Sequence, residues 1–365
     1  MKNNFKLFDV LIIGGGPAGC AAALTLLNQT SLEVGVIEAT DYSNIRVGES
    51  VSPSIRPMMR YLGIENEFLA GNHISSQGID AAWGSPKILS RDYFFTVHGN
   101  GWNLDRQMFD SMLAESVKKR NGAMFTSAKI SRQNKNNGVW DLTAIRSNGT
   151  KIWLQTNFVI DASGKKAYFA RNLGAKWKVL DYLVGIATMY DVPAGSEISS
   201  TLIESTPEGW WYSTPIPNNK RIVVFMTDSD LANKIKIQKL AIWNLFLKKT
   251  LHIHKTIDGA KLFSTPKIFP AYSQIIKKTN LAGWVPAGDA VASFDPLSSI
   301  GIGHAIVSGI EAARVAHNTI KSDGRLLPQY LDNVIANFDQ YVNNRKHFYG
   351  YEKRWKESPF WKRRQ

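Results

Sequence analysis

The residues best placed to do chemistry lie near the start of the chain, where Val10-Leu11-Ile12-Ile13 runs into Gly14-Gly15-Gly16-Pro17-Ala18-Gly19 and then into Cys20-Ala21-Ala22-Ala23-Leu24. An apolar strand, a glycine turn and a small-residue helix in that order form a dinucleotide-binding turn. Gly14 permits the tight turn, Gly16 lets the backbone approach a pyrophosphate, and Gly19 lets the helix pack close on the strand. Pro17 and Ala18 open the helix, whose free N–H groups face the phosphates. Glu38 ends a second apolar run, Val34-Gly35-Val36-Ile37, at the spacing where an acid receives the ribose hydroxyls of an unphosphorylated adenosine. Glycine turns also occur for packing alone, and it is the flanking strand, helix and terminal acid that make this one a nucleotide site.

The elements that must position these residues follow from hydrophobic periodicity. Strand-like and helix-like segments alternate up to about residue 70, which predicts an α/β unit with a parallel sheet. From Gln77 to Phe95 the pattern changes to aromatic and β-branched runs, as in Ala81-Ala82-Trp83-Gly84 and Tyr93-Phe94-Phe95-Thr96-Val97, which read as strands of a different sheet. Leu104, Met108, Phe109, Met112 and Leu113 have helical spacing, while Trp140–Leu142 and Lys151–Leu154 read as an antiparallel ribbon. Phe158-Val159-Ile160-Asp161-Ala162-Ser163-Gly164 is another buried strand ending in a small-residue turn. A second excursion, rich in strand formers and tryptophan, carries one helical segment from Ile235 to Lys248. Trp284–Ala290 brings the chain back, Gly301–Ile320 reads as a long helix, and the tail from Pro328 is helical. The expected division is a Rossmann-like nucleotide domain (residues 1–75, 100–176 and 276–330), a mixed-sheet substrate domain (76–99 and 177–275) and a helical C-terminal segment (331–365).

Bulk properties set the class. A chain of 365 residues can bury a large core. Cys20 is its one cysteine, which excludes an internal disulfide, and its place among alanines makes it small packing filler. Early lysines before an apolar run resemble a signal peptide superficially, but Asp9 and the glycine turn interrupt it, so the expected compartment is cytoplasmic. No charge-free run of about eighteen apolar residues occurs, and no membrane partner is expected. The net charge of +14 lacks the zinc-finger spacing, aromatic signature or massed basic arm of a nucleic-acid binder. An acidic protein partner would be drawn by the same field; a merely solvated basic surface is the alternative. His252 and His254 alternate without a further ligand cluster, so no metal is expected.

Separated segments together resemble the flavin monooxygenase superfamily that includes p-hydroxybenzoate hydroxylase and the flavin-dependent tryptophan halogenases, and the likeness covers most of the chain. Gly101-Trp102-Asn103-Leu104-Asp105-Arg106 resembles the motif whose arginine contacts the cofactor, and Ala287-Gly288-Asp289-Ala290 the ribityl-binding signature. Arg46-Val47-Gly48-Glu49-Ser50-Val51-Ser52-Pro53 resembles the segment that runs past the flavin edge. The resemblance implies FAD, with Arg46, Glu49, Ser50 and Arg106 beside it and Asp289 accepting from ribityl hydroxyls; Asp289 can also cap a helix. In Asp295-Pro296-Leu297-Ser298-Ser299-Ile300-Gly301-Ile302-Gly303, residue Pro296 and the amides of Gly301, Ile302 and Gly303 would meet negative charge on a reduced ring. Candidate acid–base groups are Glu49, His98 and His304, each with an ordinary structural alternative. No second glycine-rich nucleotide turn follows a strand, so NAD(P)H, free reduced flavin or a partner could supply electrons.

The halogenase branch carries a Trp-x-Trp-x-Ile-Pro signature and an early substrate-domain lysine, and the chain departs from both. It reads Gly209-Trp210-Trp211-Tyr212-Ser213-Thr214-Pro215, and residues 61–86 hold no lysine. A closer likeness is to the flavoproteins that mature cysteine tryptophylquinone-containing lysine or glycine oxidases, carried by Ala82-Trp83-Gly84-Ser85, Gly209-Trp210-Trp211-Tyr212, Thr227-Asp228-Ser229-Asp230, Tyr351-Glu352-Lys353-Arg354-Trp355 and Phe360-Trp361-Lys362-Arg363-Arg364. It implies a monooxygenase that uses molecular oxygen to hydroxylate a tryptophan of an oxidase precursor, with Trp83, Trp210, Trp211 and Tyr212 as a substrate wall or, alternatively, as sheet packing. The basic, aromatic tail would suit either a docking surface or a cap on the core. Alternatives are a small-molecule aromatic hydroxylase or halogenase, and a non-catalytic flavin-bearing assembly factor.

Overall fold

The computed structural model describes residues 5–93, 96–195, 200–277, 279–321 and 324–365. Phe94 and Phe95 lie outside it; Tyr93, Thr96 and Val97 beside them are not in a strand.

Continuous apolar runs form the parallel part of a seven-stranded sheet, as expected where both faces are covered. Its order is Ala123–Phe125, Val34–Ile37, Lys6–Ile13, Lys151–Asp161, then the antiparallel ribbon Val139–Arg146 and Ala128–Asn136; Trp284–Pro286 pairs parallel to the end of Lys151–Asp161. The register aligns Ile13 with both Ile37 and Asp161, and Asp161 with Pro286. Gly14, Glu38, Ala162 and Ala287 therefore follow four strands at one edge, the carboxyl end where ligands of open α/β sheets bind. Helix Pro17–Gln29 buries Ala18 to Leu26 against the sheet and the long helix Gly301–Ile320.

An eight-stranded mixed sheet holds Gly78–Ala82, Leu89–Asp92, Leu183–Asp191, Thr201–Thr206, Gly209–Ile216, Lys220–Asp228, Lys261–Leu262 and Lys267–Pro270. Only the Thr201–Thr206 and Gly78–Ala82 pair is parallel. Adjacent strand residues face opposite sides. Trp210 and Tyr212 accordingly join one core with Trp83, Tyr349 and Trp361, while Trp211 joins another with Phe225 and Trp243. The helix expected over Ile235–Lys248 is present as the shorter Leu240–Leu247, and a separate helix, Ser229–Ile235, precedes it and ends where Lys236 turns left-handed at φ 59°.

Two small sheets join the large ones. One pairs Trp177–Val179, Gln274–Ile276 and Ala292–Ser293; the other pairs Ser50–Val51 and Ile74–Ser76 with Gly101–Asn103. The tail forms a helix Leu326–Gly350 and a short one, Pro359–Lys362. It is a cap: Trp83 Nε1 donates to Phe348 O at 2.8 Å, Trp361 Nε1 to Thr206 O at 2.8 Å, and Gly84 N to Glu352 Oε2 at 2.9 Å. Arg354 pairs with Glu352, Arg363 with Asp228 and Asp230, and Arg364 with Asp228. Among the described residues no helix is long and apolar enough to cross a membrane.

Candidate active site

The glycine turn has the geometry its residues dictate. Gly14 has φ 105°, and a Cβ there would stand 2.2 Å from Ala162 O; at Gly19 one would stand 1.8 Å from Gly14 O. Gly16 differs: the nearest atom to its missing Cβ is Arg46 Nη1 at 3.7 Å, so its side is open. Gly16 caps the helix without a side-chain bond, and the first intrahelical bond is Cys20 N to Gly16 O, so Ala18 and Gly19 amides have no partner within the helix. An open cradle with free donors at a helix N-terminus suits a pyrophosphate. Cys20 is buried and donates to Gly15 O at 3.1 Å, and burial raises its thiol pKa far above the ordinary range.

Glu38 is already engaged. Its Oε2 accepts from Gly15 N at 2.7 Å, and its Oε1 from Thr40 N, Thr40 Oγ1 and Arg46 Nη2 at 3.0, 2.6 and 3.1 Å. Arg46 and Arg106 meet on one buried carboxylate: Asp110 Oδ2 lies 2.6 Å from Arg46 Nη1 and 3.2 Å from Arg106 Nη2. Asp110 was absent from the sequence-derived site, although an acid four residues after Arg106 on a helix is a readable pair. Arg106 Nη1 also donates to Val47 O at 2.6 Å, fixing the segment that carries Glu49. Asp110→Ala removes the carboxylate that Arg46 and Arg106 share, leaving Arg46 on Glu38 and Arg106 on the backbone carbonyls, and should cost about 1–3 kcal/mol and lower flavin content of the purified protein. An unchanged denaturation midpoint would mean that Glu38 and the carbonyls hold the arginines unaided.

Asp289 lies in the turn Gly288–Ala290, 3.4 Å from Lys165 Nζ. It makes no capping bond; that role falls to Asp295, which accepts from Leu297 N at 3.0 Å. Helix Gly301–Ile320 starts where expected, and its first backbone bond is His304 N to Ile300 O, so the amides of Gly301, Ile302 and Gly303 have no partner within the helix. Pro296 opens the turn before it.

A cavity of about 490 Å³ lies beside this turn, between Ser298–Ile300 and the helix Leu326–Gly350. Asn337, Gln340 and Asn344 line it from one helix face, and Ile300, Val307 and Phe348 in its lining are exposed. Trp83, Trp210, Trp211 and Tyr212 do not line it. Trp210 is 1% exposed and donates from Nε1 to Tyr349 Oη at 3.0 Å, and Trp211, also 1% exposed, stacks on Phe225 at 4.6 Å. Both are sheet packing, the reading the tail imposes by covering their face or, for Trp211, the opposite face by its own helix.

The three acid–base candidates separate. His98 is exposed on a turn. His304 lines the cavity, its ring edge-on to Phe294 at 4.6 Å, and burial, opposed by Asp289, lowers its pKa to about 4, so it is neutral at pH 7. Glu49 is 2% exposed; Tyr212 Oη donates to its Oε2 at 3.1 Å, and Oε1 has no partner among the described residues. Burial pushes its pKa from 4.5 up to about 7, against Arg106 and the Tyr212 bond, which both favour the charged form. The folded protein thus holds this proton to higher pH than the unfolded chain, and stability falls as pH rises from about 4.5 to about 7. Glu49→Gln should leave the denaturation midpoint unchanged at pH 4 and stabilise at pH 8 by on the order of 2–3 kcal/mol. Equal effects at both pH values would contradict the shift. Among the described residues no cluster of three or more His, Cys, Asp or Glu side chains could hold a metal; His252 Nε2 instead lies 2.8 Å from Pro86 O and His254 Nδ1 2.6 Å from Thr250 O.

Comparison with known proteins finds similar sequences and folds. The family model described as tryptophan halogenase matches residues 9–96. The chain is 30% identical over 360 residues to the putative FAD-dependent oxidoreductase LodB of Marinomonas mediterranea, covering 98% of this chain and 96% of that protein. The flavin-dependent halogenase CmlS superposes with a TM-score of 0.88 at 22% identity, over 99% of this chain and 68% of that one. QhpG, a peptidyl tryptophan dihydroxylase essential for tryptophylquinone cofactor biogenesis, superposes with a TM-score of 0.79 at 19% identity, over 99% and 79%.

Proposed function

The chain belongs to the FAD-dependent oxidoreductases of the flavin-dependent halogenase and monooxygenase superfamily, and from that premise we propose that it hydroxylates a tryptophan within a partner protein. The partner is the precursor of a quinone-cofactor amino-acid oxidase, and the product serves formation of its cysteine tryptophylquinone. The observation that carries this reading is the end-to-end likeness to LodB, supported by the shared fold of QhpG. The sequence departs from the halogenase signature at Tyr212 and Thr214, which weighs against halogenation.

FAD, when bound, supplies the reduction of dioxygen that makes one oxygen atom electrophilic and releases the other as water. The protein's residues do the rest. The cradle Gly14–Gly19 takes the pyrophosphate, Glu38 the adenosine ribose, and Asp289 the ribityl hydroxyls. Asp110 holds Arg46 and Arg106 beside them. The free amides of Gly301–Gly303, at the positive end of a 20-residue helix, stabilise negative charge on the reduced ring. The cavity beside that turn receives the indole, and its amide side chains from Asn337, Gln340 and Asn344 offer paired donors and acceptors to a peptide backbone. A net charge of +14 favours an acidic partner surface. Electrons come from NAD(P)H or reduced flavin.

Co-expression tests it. The precursor of a cysteine tryptophylquinone oxidase should gain oxygen mass with this protein and none with its Gly16→Asp variant. Turnover of free tryptophan or another small aromatic, with or without halide, and an unchanged precursor would favour the small-molecule hydroxylase or halogenase. Binding to the precursor with no oxygen-dependent mass change would favour an assembly factor.

A further inference from the structure

In the lining of the cavity of about 490 Å³, the charges are already matched within the chain. Arg345 and Asp295 are its cation and its anion among the described residues, and they meet each other, Arg345 Nε lying 3.3 Å from Asp295 Oδ2. Arg345 Nη2 also reaches Asp181 Oδ2 at 2.9 Å, and Asp295 accepts from Tyr349 Oη at 2.8 Å and from Leu297 N at 3.0 Å. His304 is neutral at pH 7. Three of the lining serines are engaged as well, Ser52 Oγ with Ser54 Oγ and Ser298 Oγ with Asp295 O, both at 2.7 Å. What the lining leaves unengaged is a row of neutral amides. Asn337, Gln340 and Asn344 stand at i, i+3 and i+7 of the helix Leu326–Gly350, and Phe348 continues their row, while Phe338, Tyr341 and Tyr349 turn the adjacent face into the core. All three amides are exposed, and their side chains make no hydrogen bond among the described residues. Asp332, Asp339 and Lys346 of the same helix do not line the cavity.

We propose that this row is the specificity device of the site: it selects a tryptophan held in an extended peptide segment over free tryptophan, by bonding the segment's backbone while the indole enters the apolar part of the cavity at Met58, Phe294 and Leu297. The inference rests on the hydroxylase reading above for the identity of the inserted side chain. A free amino acid at pH 7 brings an ammonium and a carboxylate, and the lining has no unmatched charge to meet either. Taking such groups out of water without a counter-charge costs far more than taking out an amide. Within a chain the same two positions are a peptide N–H and C=O, and each carboxamide offers an acceptor and two donors to match them. The length of the row agrees. Asn344 lies seven positions after Asn337 on the helix, and at about 1.5 Å each these span about 10 Å, the length of about three residues of extended chain. A segment already in a helix or sheet bonds its own backbone groups and has fewer left for the row. The preferred substrate is therefore a segment whose backbone is unpaired when it binds.

Calorimetry on the holoprotein, with its flavin oxidised so that nothing turns over, compares three probes: L-tryptophan, N-acetyl-tryptophanamide and a capped pentapeptide with tryptophan at its centre. The pentapeptide should bind about a hundredfold tighter than L-tryptophan, with N-acetyl-tryptophanamide between them. Asn344→Asp and Gln340→Glu keep the shape of the side chain and replace its donor by a charged acceptor. Each should weaken the pentapeptide about tenfold and tighten L-tryptophan, whose ammonium gains a partner, so the preference narrows from both sides. Damage to the fold would instead weaken both probes alike and lower the denaturation midpoint, which these exposed positions should leave unmoved. L-Tryptophan bound as tightly as the pentapeptide, a preference unmoved in both variants, or no binding of any probe overturns the proposal. The hydroxylase reading is tested apart from it. If the preference is as expected but neither the peptide nor the precursor gains oxygen once the flavin is reduced in air, that reading fails and the recognition row stands; oxygen on the precursor with no preference sinks the row alone.

Discussion

Gly16→Asp should abolish FAD binding while leaving the fold standing. The two halves of that expectation come from the same observation, the open side of Gly16, where the nearest atom to a Cβ is Arg46 Nη1 at 3.7 Å. A carboxylate there meets no backbone, so folding is spared, but it occupies the place of a doubly charged pyrophosphate. At about 4 Å and an effective dielectric near 20, one such repulsion is worth about 4 kcal/mol, roughly a thousandfold in affinity before any steric cost. The purified variant should be colourless with a far-ultraviolet spectrum like that of the apoprotein. Gly19→Ala is the contrasting control, because its methyl would stand 1.8 Å from Gly14 O and must displace the turn itself. A Gly16→Asp protein that keeps stoichiometric FAD would place the pyrophosphate elsewhere.

Trp361→Ala should destabilise the protein by about 3–5 kcal/mol, the range for emptying a buried tryptophan site. Trp361 is 0% exposed, packs edge-on to Trp83 and Phe360 at 5.3 and 5.2 Å, and donates to Thr206 O. Its loss would also leave that carbonyl unpaired and loosen the wall that covers Trp210. The denaturation midpoint of the apoprotein measures it. The alternative, that the aromatic and basic tail is a free docking arm, predicts unchanged stability with weakened partner binding. Arg354, Arg363 and Arg364, all three ion-paired within the fold, point to the wall.

The cradle was legible because its signals are local: strand, glycines and helix are contiguous, and Glu38 closes a short apolar run. Parallel register then does what sequence spacing cannot, bringing Ala162 and Ala287 to the same edge as Gly14. The helix Gly301–Ile320 was legible from its period and its glycine start. Of the two readings of the tryptophans, substrate wall or sheet packing, Trp210 and Trp211 take the second, and strand alternation already pointed that way, since neighbours on one strand cannot face one pocket. What hides Trp210 was not legible, because the covering residues lie more than a hundred positions away in the tail. The helix end at Lys236 carries neither glycine nor proline, the usual marks of a left-handed turn. Asp289 lies inside one short turn while Asp295 precedes another, and only the second position brings a carboxylate to an amide. The cavity is assembled from residues 52–58, 294–307 and 337–348, three segments with no shared local signature.

The most direct measurement is isotopic. Holoprotein, an oxidase precursor and an electron donor are incubated under labelled dioxygen, and the precursor is digested and sequenced by mass spectrometry. The account predicts oxygen from dioxygen on a tryptophan side chain of the precursor, absent when Gly16→Asp protein is used. Label found only in water or peroxide, with every precursor tryptophan unmodified while FAD is bound and reduced, would contradict it.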